Sequence, residues 1–441
     1  MKARHYAYVL SFVAALGGFL FGFDTAIIAA GLRYLKEQFV LDSVQEGWAA
    51  SSALLGCIAG AAAAGVISDW LGRKRVLMLA AVLFTVSAVG SAIAATLTAF
   101  VAARIIGGVA VGAAAALSPL YIGEIAPPDI RGRLVSFQQL AIVTGILLSY
   151  LAGWALAGIG PTNWRWMFGV ETFPAIAFLT LLAFVPESPR WLMRRGRTRE
   201  AEVVLARVSS ADEASRALHE IARTVQAETG SFRQLLEPGF RYALLIGCLV
   251  AIAQQVTGIN AVVYYAPRIF ESAGFERTSA LLQSTLLGVV YFVFTWVAIV
   301  YVDRWGRKPL LIVGAAGMGT MLFFTGLAFH SELFSGVTVL VFVLAYAAFF
   351  CIALGPVCWV VLAEIFPTHA RGTAMSIAGV CRWIANWAVT QTFPIMADRL
   401  HESVTFWIYA GMCVLAVVFF AAMLPETKHK SLEQIEAFFR R

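Results

Sequence analysis

Asp69-Trp70-Leu71-Gly72-Arg73-Lys74 recurs as Asp303-Arg304-Trp305-Gly306-Arg307-Lys308, and each copy follows the second of a series of long apolar runs. Two further stretches repeat in the same order. Glu124-Ile-Ala-Pro127-Pro-Asp-Ile-Arg131-Gly132 returns after the fourth run of the second half as Glu364-Ile-Phe-Pro367-Thr-His-Ala-Arg371-Gly372. Pro186-Glu187-Ser188 and Pro425-Glu426-Thr427 close the sixth run of each half. Three motifs in one order at a nearly constant offset describe a duplication: two parallel copies of one six-run unit.

The runs themselves are membrane spans. Of the 441 residues, 60% are hydrophobic and only 13% charged, against about 45–50% and about 25% in soluble domains. Mean hydropathy is +0.78. Crossing about 30 Å of hydrocarbon takes about 20 helical residues, and in lipid a helix is the element that satisfies its own backbone within one segment. The expected spans are 7–31, 46–68, 76–96, 99–123, 134–157, 167–185, 241–266, 279–302, 309–330, 336–363, 373–396 and 403–424. The first contains Asp24 and lacks a small-residue cleavage pattern after it, so it reads as a retained span, with no removable signal peptide. All six cysteines, Cys57, Cys248, Cys351, Cys358, Cys381 and Cys413, fall in apolar runs without metal-type spacing. They read as packing residues, and no metal or cofactor is expected.

With the N-terminus inside, inner loops and tail hold Arg73, Lys74, Arg75, Arg131, Arg133, Arg304, Arg307, Lys308, Arg371, Lys428 and Lys430, while outer loops hold Arg33, Lys36, Arg165, Arg268, Arg277 and Arg399. The asymmetry puts both termini in the cytoplasm of a multi-pass inner-membrane protein. Anionic lipid of the inner leaflet accounts for the net charge of +7 without any nucleic acid. Residues 186–240 are rich in Arg and Glu, with helical apolar spacing at Leu205, Val208, Leu218 and Ile221. They form a cytoplasmic helical linker between an N-terminal bundle at 1–185 and a C-terminal bundle at 241–424, with a tail at 425–441. The fold class is thus all-α integral membrane, twelve helices in two six-helix bundles, the build of a rocking transporter with a chamber at mid-membrane.

Polar side chains inside such spans are costly and mark function. Gln139 in the fifth span and Gln254, Gln255 and Asn260 in the seventh offer amides that both donate and accept, which suits an uncharged hydroxyl-bearing solute. Gln254 and Gly258 fall about one turn apart, where the glycine would leave room for a ligand beside the amide. Asp24, Arg104 and Glu171 are ionisable groups in the first, fourth and sixth spans. A carboxylate there takes up a proton or finds a cation, so an Asp24–Arg104 pair would serve as a proton switch, or else as a static ion pair. At the inner face, Asp69, Arg73, Glu124 and Arg131, with Asp303, Arg307, Glu364 and Arg371 in the second copy, are placed to form ion pairs that hold the cytoplasmic side shut.

Nearly the whole chain resembles the sugar porter family of the major facilitator superfamily. The stretches that carry the resemblance are Gly65 to Lys74, Arg104 with Gly107 and Gly108, Pro119-Leu-Tyr121-Ile-Gly-Glu124, and Pro186-Glu-Ser-Pro-Arg190-Trp-Leu. Gln254-Gln255-Val-Thr-Gly-Ile-Asn260, Gly355-Pro-Val-Cys-Trp359 and Pro425-Glu-Thr-Lys428 complete the set. The resemblance implies that Gln139, Gln254, Gln255, Asn260, Trp359 and Trp383 line a sugar site, where indole faces lie against the C–H faces of a pyranose. Two positions depart from the family: Tyr291 stands where its sugar-binding asparagine aligns, and Arg382 where an amide is common. Arg382 would bind an acidic solute, meet a polyol differently from a hexose, or pair with a carboxylate.

An acid at the Asp24 position with a matching arginine and glutamate is also what proton-linked members of the family have. The expected function is proton-coupled symport of a monosaccharide by a monomer, with sugar, protons and membrane lipid as partners. A passive sugar uniporter is the alternative, and Asp24 weighs against it. A transporter-like nutrient receptor ranks lower, because such sensors carry long cytoplasmic tails, and so does a proton-linked drug exporter, which would not need the seventh-span amides. No nucleophile elbow, metal-ligand cluster or phosphate loop points to an enzyme.

Overall fold

The computed structural model describes residues 2–227, 238–331, 335–366 and 371–428, with side chains described in these segments except at 2–3, 211, 224–227, 238–239, 301–304 and 371. Every described regular element is helical. In chain order they are α1 Lys2–Phe39, α2 Ser43–Leu71, α3 Arg73–Ile93, α4 Leu97–Ile125, α5 Arg131–Leu156, α6 Asn163–Gly169, α7 Thr172–Ala183, α8 Pro189–Arg194, α9 Thr198–Val208 and α10 Ala211–Ala227. The second half has α11 Pro238–Val256, α12 Ile259–Ser272, α13 Arg277–Trp305, α14 Arg307–His330, α15 Gly336–Ile352, α16 Leu354–Ile365 and α17 Arg371–Met423.

Among the described residues, eleven helical stretches are long and apolar enough to cross a membrane. The last of them, Gly372–Met423, has 52 residues, about twice what one crossing needs. It breaks at His401, whose φ of 66° and ψ of 158° are not helical, so the twelve expected crossings are all present. Large apolar side chains such as Phe12, Phe173, Phe184, Leu415 and Val418 lie exposed, as lipid-facing positions require, because the bilayer is as apolar as the core.

Three expected single spans are interrupted. The sixth divides into α6 and α7 around Val170 and Glu171, the seventh into α11 and α12 at Gly258, and the tenth into α15 and α16 at Ala353. Hydropathy does not register these breaks, since the residues on either side stay apolar. Gly258 stops α11 because its φ of +91° is left-handed, a conformation glycine adopts without steric cost.

The chain divides into two compact units, one of residues 1–24, 56–146 and 168–229, the other of 25–55, 147–167 and 230–441. In the first unit α3 packs on α4 and α7; in the second α14 packs on α15 and α17, the same pattern in the repeat. The 186–240 linker forms α8, α9 and α10, which bury Trp191, Leu192, Ala201 and Val204 with Leu218 in a small core of their own. The Trp191 indole donates to the Asp69 carbonyl at 3.1 Å, which ties this cap to the end of α2.

Candidate functional site

The break between α11 and α12 gathers the seventh-span amides. Gln254 and Gln255 lie in the last turn of α11, 3% and 1% exposed, and Asn260 in the first turn of α12. Gln254 Nε2 donates to the carbonyls of Leu354 at 2.8 Å and Gly355 at 3.1 Å in the first turn of α16. Its Oε1 accepts from Gln255 Nε2 at 3.0 Å and from Arg382 Nε of α17 at 3.1 Å. An amide has two donors and two acceptor lone pairs, so Gln254 is fully engaged and acts as a bracket joining three helices. Gln255 Oε1 in turn accepts from Asn260 Nδ2. The Arg382 guanidinium lies over the Trp359 ring at 5.1 Å and the Trp383 ring at 4.8 Å, within cation–π range.

Six expected sugar-site residues, Gln254, Gln255, Asn260, Trp359, Arg382 and Trp383, therefore come together. Tyr291 does not join them by any described bond: it is buried in α13 against Phe350 of α15, with no hydrogen-bond partner for its hydroxyl among the described residues. Gln139 on α5, in the other unit, is half-buried. Its neighbour Gln138 is the buried amide, 6% exposed, lying against Gly18 of α1 with both amide atoms unpartnered among the described residues. One expectation is corrected. Gly258 leaves no room for a ligand, because a Cβ there would fall 2.9 Å from the Tyr409 ring; the glycine serves the backbone turn.

In the first unit, Asp24 and Arg104 form a buried ion pair, 3% and 1% exposed in their side chains. Arg104 Nη2 also donates to the Asp24 carbonyl at 3.1 Å, and the guanidinium lies 5.5 Å over the Phe168 ring. Glu171, 1% exposed at the α6–α7 break, interacts electrostatically with both partners, and its Oε1 has no hydrogen-bond partner among the described residues.

The repeated loops fold into matching ion brackets. Arg73 donates through Nε and Nη2 to the two oxygens of Glu124, both at 3.1 Å, and through Nη1 to Asp69 at 2.9 Å. Glu187 accepts from the backbone N–H groups of Arg73 at 3.0 Å and Lys74 at 3.1 Å, and Ser188 donates to Glu124. In the second unit Arg307 donates to Glu364 at 3.0 Å, Glu426 accepts from the N–H groups of Arg307 and Lys308 at 3.1 Å each, and Thr427 donates to Glu364. Gly72 and Gly306 make both turns, with φ of +102° and +88°. Burial pushes the Glu187 carboxyl above the usual range even though three backbone N–H groups oppose it. The more open Glu426 is held below it by the N–H groups of Lys428, Arg307, Lys308 and Thr427. Arg131 stays exposed and, among the described residues, reaches only the Ala126 carbonyl, at 3.5 Å. The side chains of Asp303 and Arg371 lie outside the described residues. Glu187, Ser188, Glu426 and Thr427 were visible in the sequence only as repeat markers.

At the end of α13 opposite Arg307, a second charged network surrounds a cavity of about 670 Å³. Glu46, 3% exposed, receives Lys36 at 2.6 Å and Arg268 at 2.7 Å, and Arg268 also reaches Asp398 at 2.6 Å. Arg33 pairs with Glu271 and Arg277 with Glu37. These pairs join the end of α1 and start of α2 to α12, α13 and α17, and no motif or spacing in the chain announced them.

A family model described as sugar (and other) transporter matches residues 10–439. The chain is 42% identical to the D-xylose-proton symporter of Escherichia coli strain K12, with 98% of this chain and 96% of the relative covered. It is 40% identical to the arabinose-proton symporter of Bacillus subtilis strain 168, with 97% and 94% covered. It superposes on the inward-open structure of the E. coli xylose transporter XylE with a TM-score of 0.88 at 40% identity, over 98% of this chain and all of that one. With the duplicated brackets, the twelve crossings and these likenesses together, the chain belongs to the sugar porter family of the major facilitator superfamily and has its multi-pass membrane fold.

Proposed function

We propose that this chain is a proton-coupled symporter that moves a monosaccharide across the inner membrane by alternating access, as a monomer with both termini in the cytoplasm. The observation that carries the reading is the buried set of Asp24, Arg104 and Glu171. One guanidinium faces two carboxyl groups, so the set is neutral with one proton and negative without it. A net charge inside the bilayer is expensive, which makes proton occupancy a determinant of the preferred conformation. Protonating Asp24 breaks its ion pair and leaves Glu171 as the acid for Arg104. Asp24, Arg104 and Glu171 are thus assigned to coupling.

Sugar binding is assigned to the cluster of Gln254, Gln255, Asn260, Trp359, Arg382 and Trp383 in the second unit and to Gln139 in the first. Broken helices are where transporters of this kind place their binding sites, and the α11–α12 and α15–α16 breaks both lie at the cluster. Names of relatives support the class of cargo, since those matched carry xylose or arabinose with protons. The brackets at Arg73 and Arg307 stabilise the inner ends of the helices. The basic inner loops fit anionic lipid and call for no nucleic acid.

The test is uptake into proteoliposomes under an imposed pH gradient. At one proton per sugar, a gradient of one pH unit drives accumulation toward about tenfold. The Asp24→Asn variant is expected to exchange sugar without accumulating it. Wild-type uptake that ignores the gradient would leave a passive uniporter.

A further inference from the structure

The geometry points to an electrostatic gate at the outer end of the helices, with Glu46 as its central residue. The inference goes beyond the transport reading above and rests on it for which face is the outer one.

The pairs of this gate join the two copies of the repeat. Glu46 of α2, in the first copy, is 3% exposed and has a different cation on each oxygen. Lys36 Nζ of α1 meets Oε2 at 2.6 Å, and Arg268 Nη1 of α12, in the second copy, meets Oε1 at 2.7 Å. Through Nη2, Arg268 carries the network on to Asp398 of α17 at 2.6 Å. Around this centre Arg33 and Glu37 of α1 pair with Glu271 of α12 and Arg277 of α13. All of these residues belong to the second compact unit. The inner brackets differ in kind: Arg73 with Glu124 and Glu187, and Arg307 with Glu364 and Glu426, each draw on one copy. A bracket within one copy travels with it, whereas a pair that spans the copies is broken when their ends part.

Ion pairs suit a joint that opens in every cycle, because charges that separate regain the water they lost on pairing. The rim is weak for this reason: Arg33 and Glu37 are exposed, and exposed pairs contribute little. Glu46 is the dehydrated member, and removing its charge leaves Lys36 and Arg268 facing a site without their shared anion. The cavity of about 670 Å³ beside these residues gives water a way in as the ends part. A carrier that has taken up solute from outside must close this joint before it can release solute inside. Without Glu46 it rests open outward, where it binds outer solute more tightly and turns over more slowly.

The experiment uses the full-length protein with nitroxides at Val40→Cys, at the end of α1, and Glu276→Cys, beside α13, both exposed positions, after the native cysteines are changed to serine. Pulsed electron spin resonance in lipid nanodiscs reads the separation of the labels. Glu46→Gln should raise the ratio of separated to closed populations at least about tenfold, the scale of a lost charge-assisted contact, and Glu46→Asp, which keeps the charge, should raise it less. In right-side-out vesicles Glu46→Gln should lower both the KM for external D-xylose and the turnover rate, since the open fraction sets apparent affinity. A variant that is merely less stable loses active protein and leaves KM alone. Glu200→Gln, in the exposed Arg197–Glu200 pair of α9, should change neither readout. Raising salt from about 10 mM to about 1 M shortens the Debye length from about 30 Å to about 3 Å and should open the labelled protein with Glu46 intact part way, by less than Glu46→Gln. The salt series does not depend on a Glu46 variant that folds. Separations unmoved by both salt and Glu46→Gln would overturn the gate and leave symport standing. Opening in Glu46→Gln, alongside wild-type uptake that ignores a pH gradient, would uphold the gate and overturn symport. A fall in KM for internal in place of external D-xylose would overturn the assignment of this gate to the outer face.

Discussion

Replacing Glu124 by alanine is expected to destabilise the protein more than the matching Glu364→Ala change, although the two glutamates hold the same place in the repeat. Arg73 and Glu124 are each 5% exposed, whereas Arg307 is 13% and Glu364 25% exposed. Without Glu124, the Arg73 guanidinium keeps, among the described residues, only the half-exposed Asp69 and the Ser68 carbonyl, to which its Nη1 donates at 3.1 Å. Removing one member of a buried pair costs about 3–5 kcal/mol, and the remaining Asp69 contact places this case near the lower end. Water reaches the second bracket more readily, so its loss should cost about 1–2 kcal/mol, between the values for exposed and buried pairs.

The assay is thermal unfolding in detergent followed by a thiol-reactive fluorophore, since Cys57, Cys351, Cys358 and Cys413 are buried and report on loss of structure. A double variant, Arg73→Met with Glu124→Leu, removes both charges and should be less destabilised than Glu124→Ala alone. Equal losses for Glu124→Ala and Glu364→Ala, or a double variant as damaged as the sum of its parts, would refute the claim that an uncompensated buried cation sets the cost.

Gly258→Ala places a Cβ on a residue with φ of +91° and 2.9 Å from the Tyr409 ring, at a cost of about 1–3 kcal/mol. Because that turn aligns Gln255 with Asn260, ligand affinity in a binding titration should fall with stability, and an alanine variant equal to wild type in both would count against the turn's role. Glu426, held below the usual carboxylate range, contributes stability above its unfolded value that is lost as pH falls through its folded one. Glu187, held above that range, has the opposite sign: its bracket gains as pH falls toward its folded value. Thus Glu426→Gln should lower the unfolding temperature at pH 7 and converge on wild type as pH falls through the folded value of Glu426, while Glu187→Gln should cost less at pH 7 despite the deeper burial. The reverse order would contradict the reading of the two brackets.

The duplication was legible because a turn between two spans needs a glycine with positive φ and an ion bracket needs acid and base at fixed spacing. Gly72, Arg73 and Glu124 had to recur as Gly306, Arg307 and Glu364 for the second unit to close in the same way. The helix breaks were not legible, since hydropathy measures transfer to lipid and is blind to backbone direction at Ala353 or Val170. That Gln138 is the buried amide of α5 and Gln139 the half-buried one was not legible for a related reason. In a soluble helix the polar face marks the outside, but α5 is apolar toward lipid and toward protein alike, so its sequence carries no phase. The pairing of Glu46 with Arg268 and Lys36 joins residues far apart in the chain, and the charges of the loops alone did not specify partners.

Whether sugar and proton cross together is read by adding sugar to proteoliposomes in weakly buffered medium with no imposed gradient. Symport gives a transient rise in external pH that matches labelled sugar entry about one to one and is absent from the Asp24→Asn variant. Labelled sugar entering the wild-type vesicles with no movement of protons would contradict it.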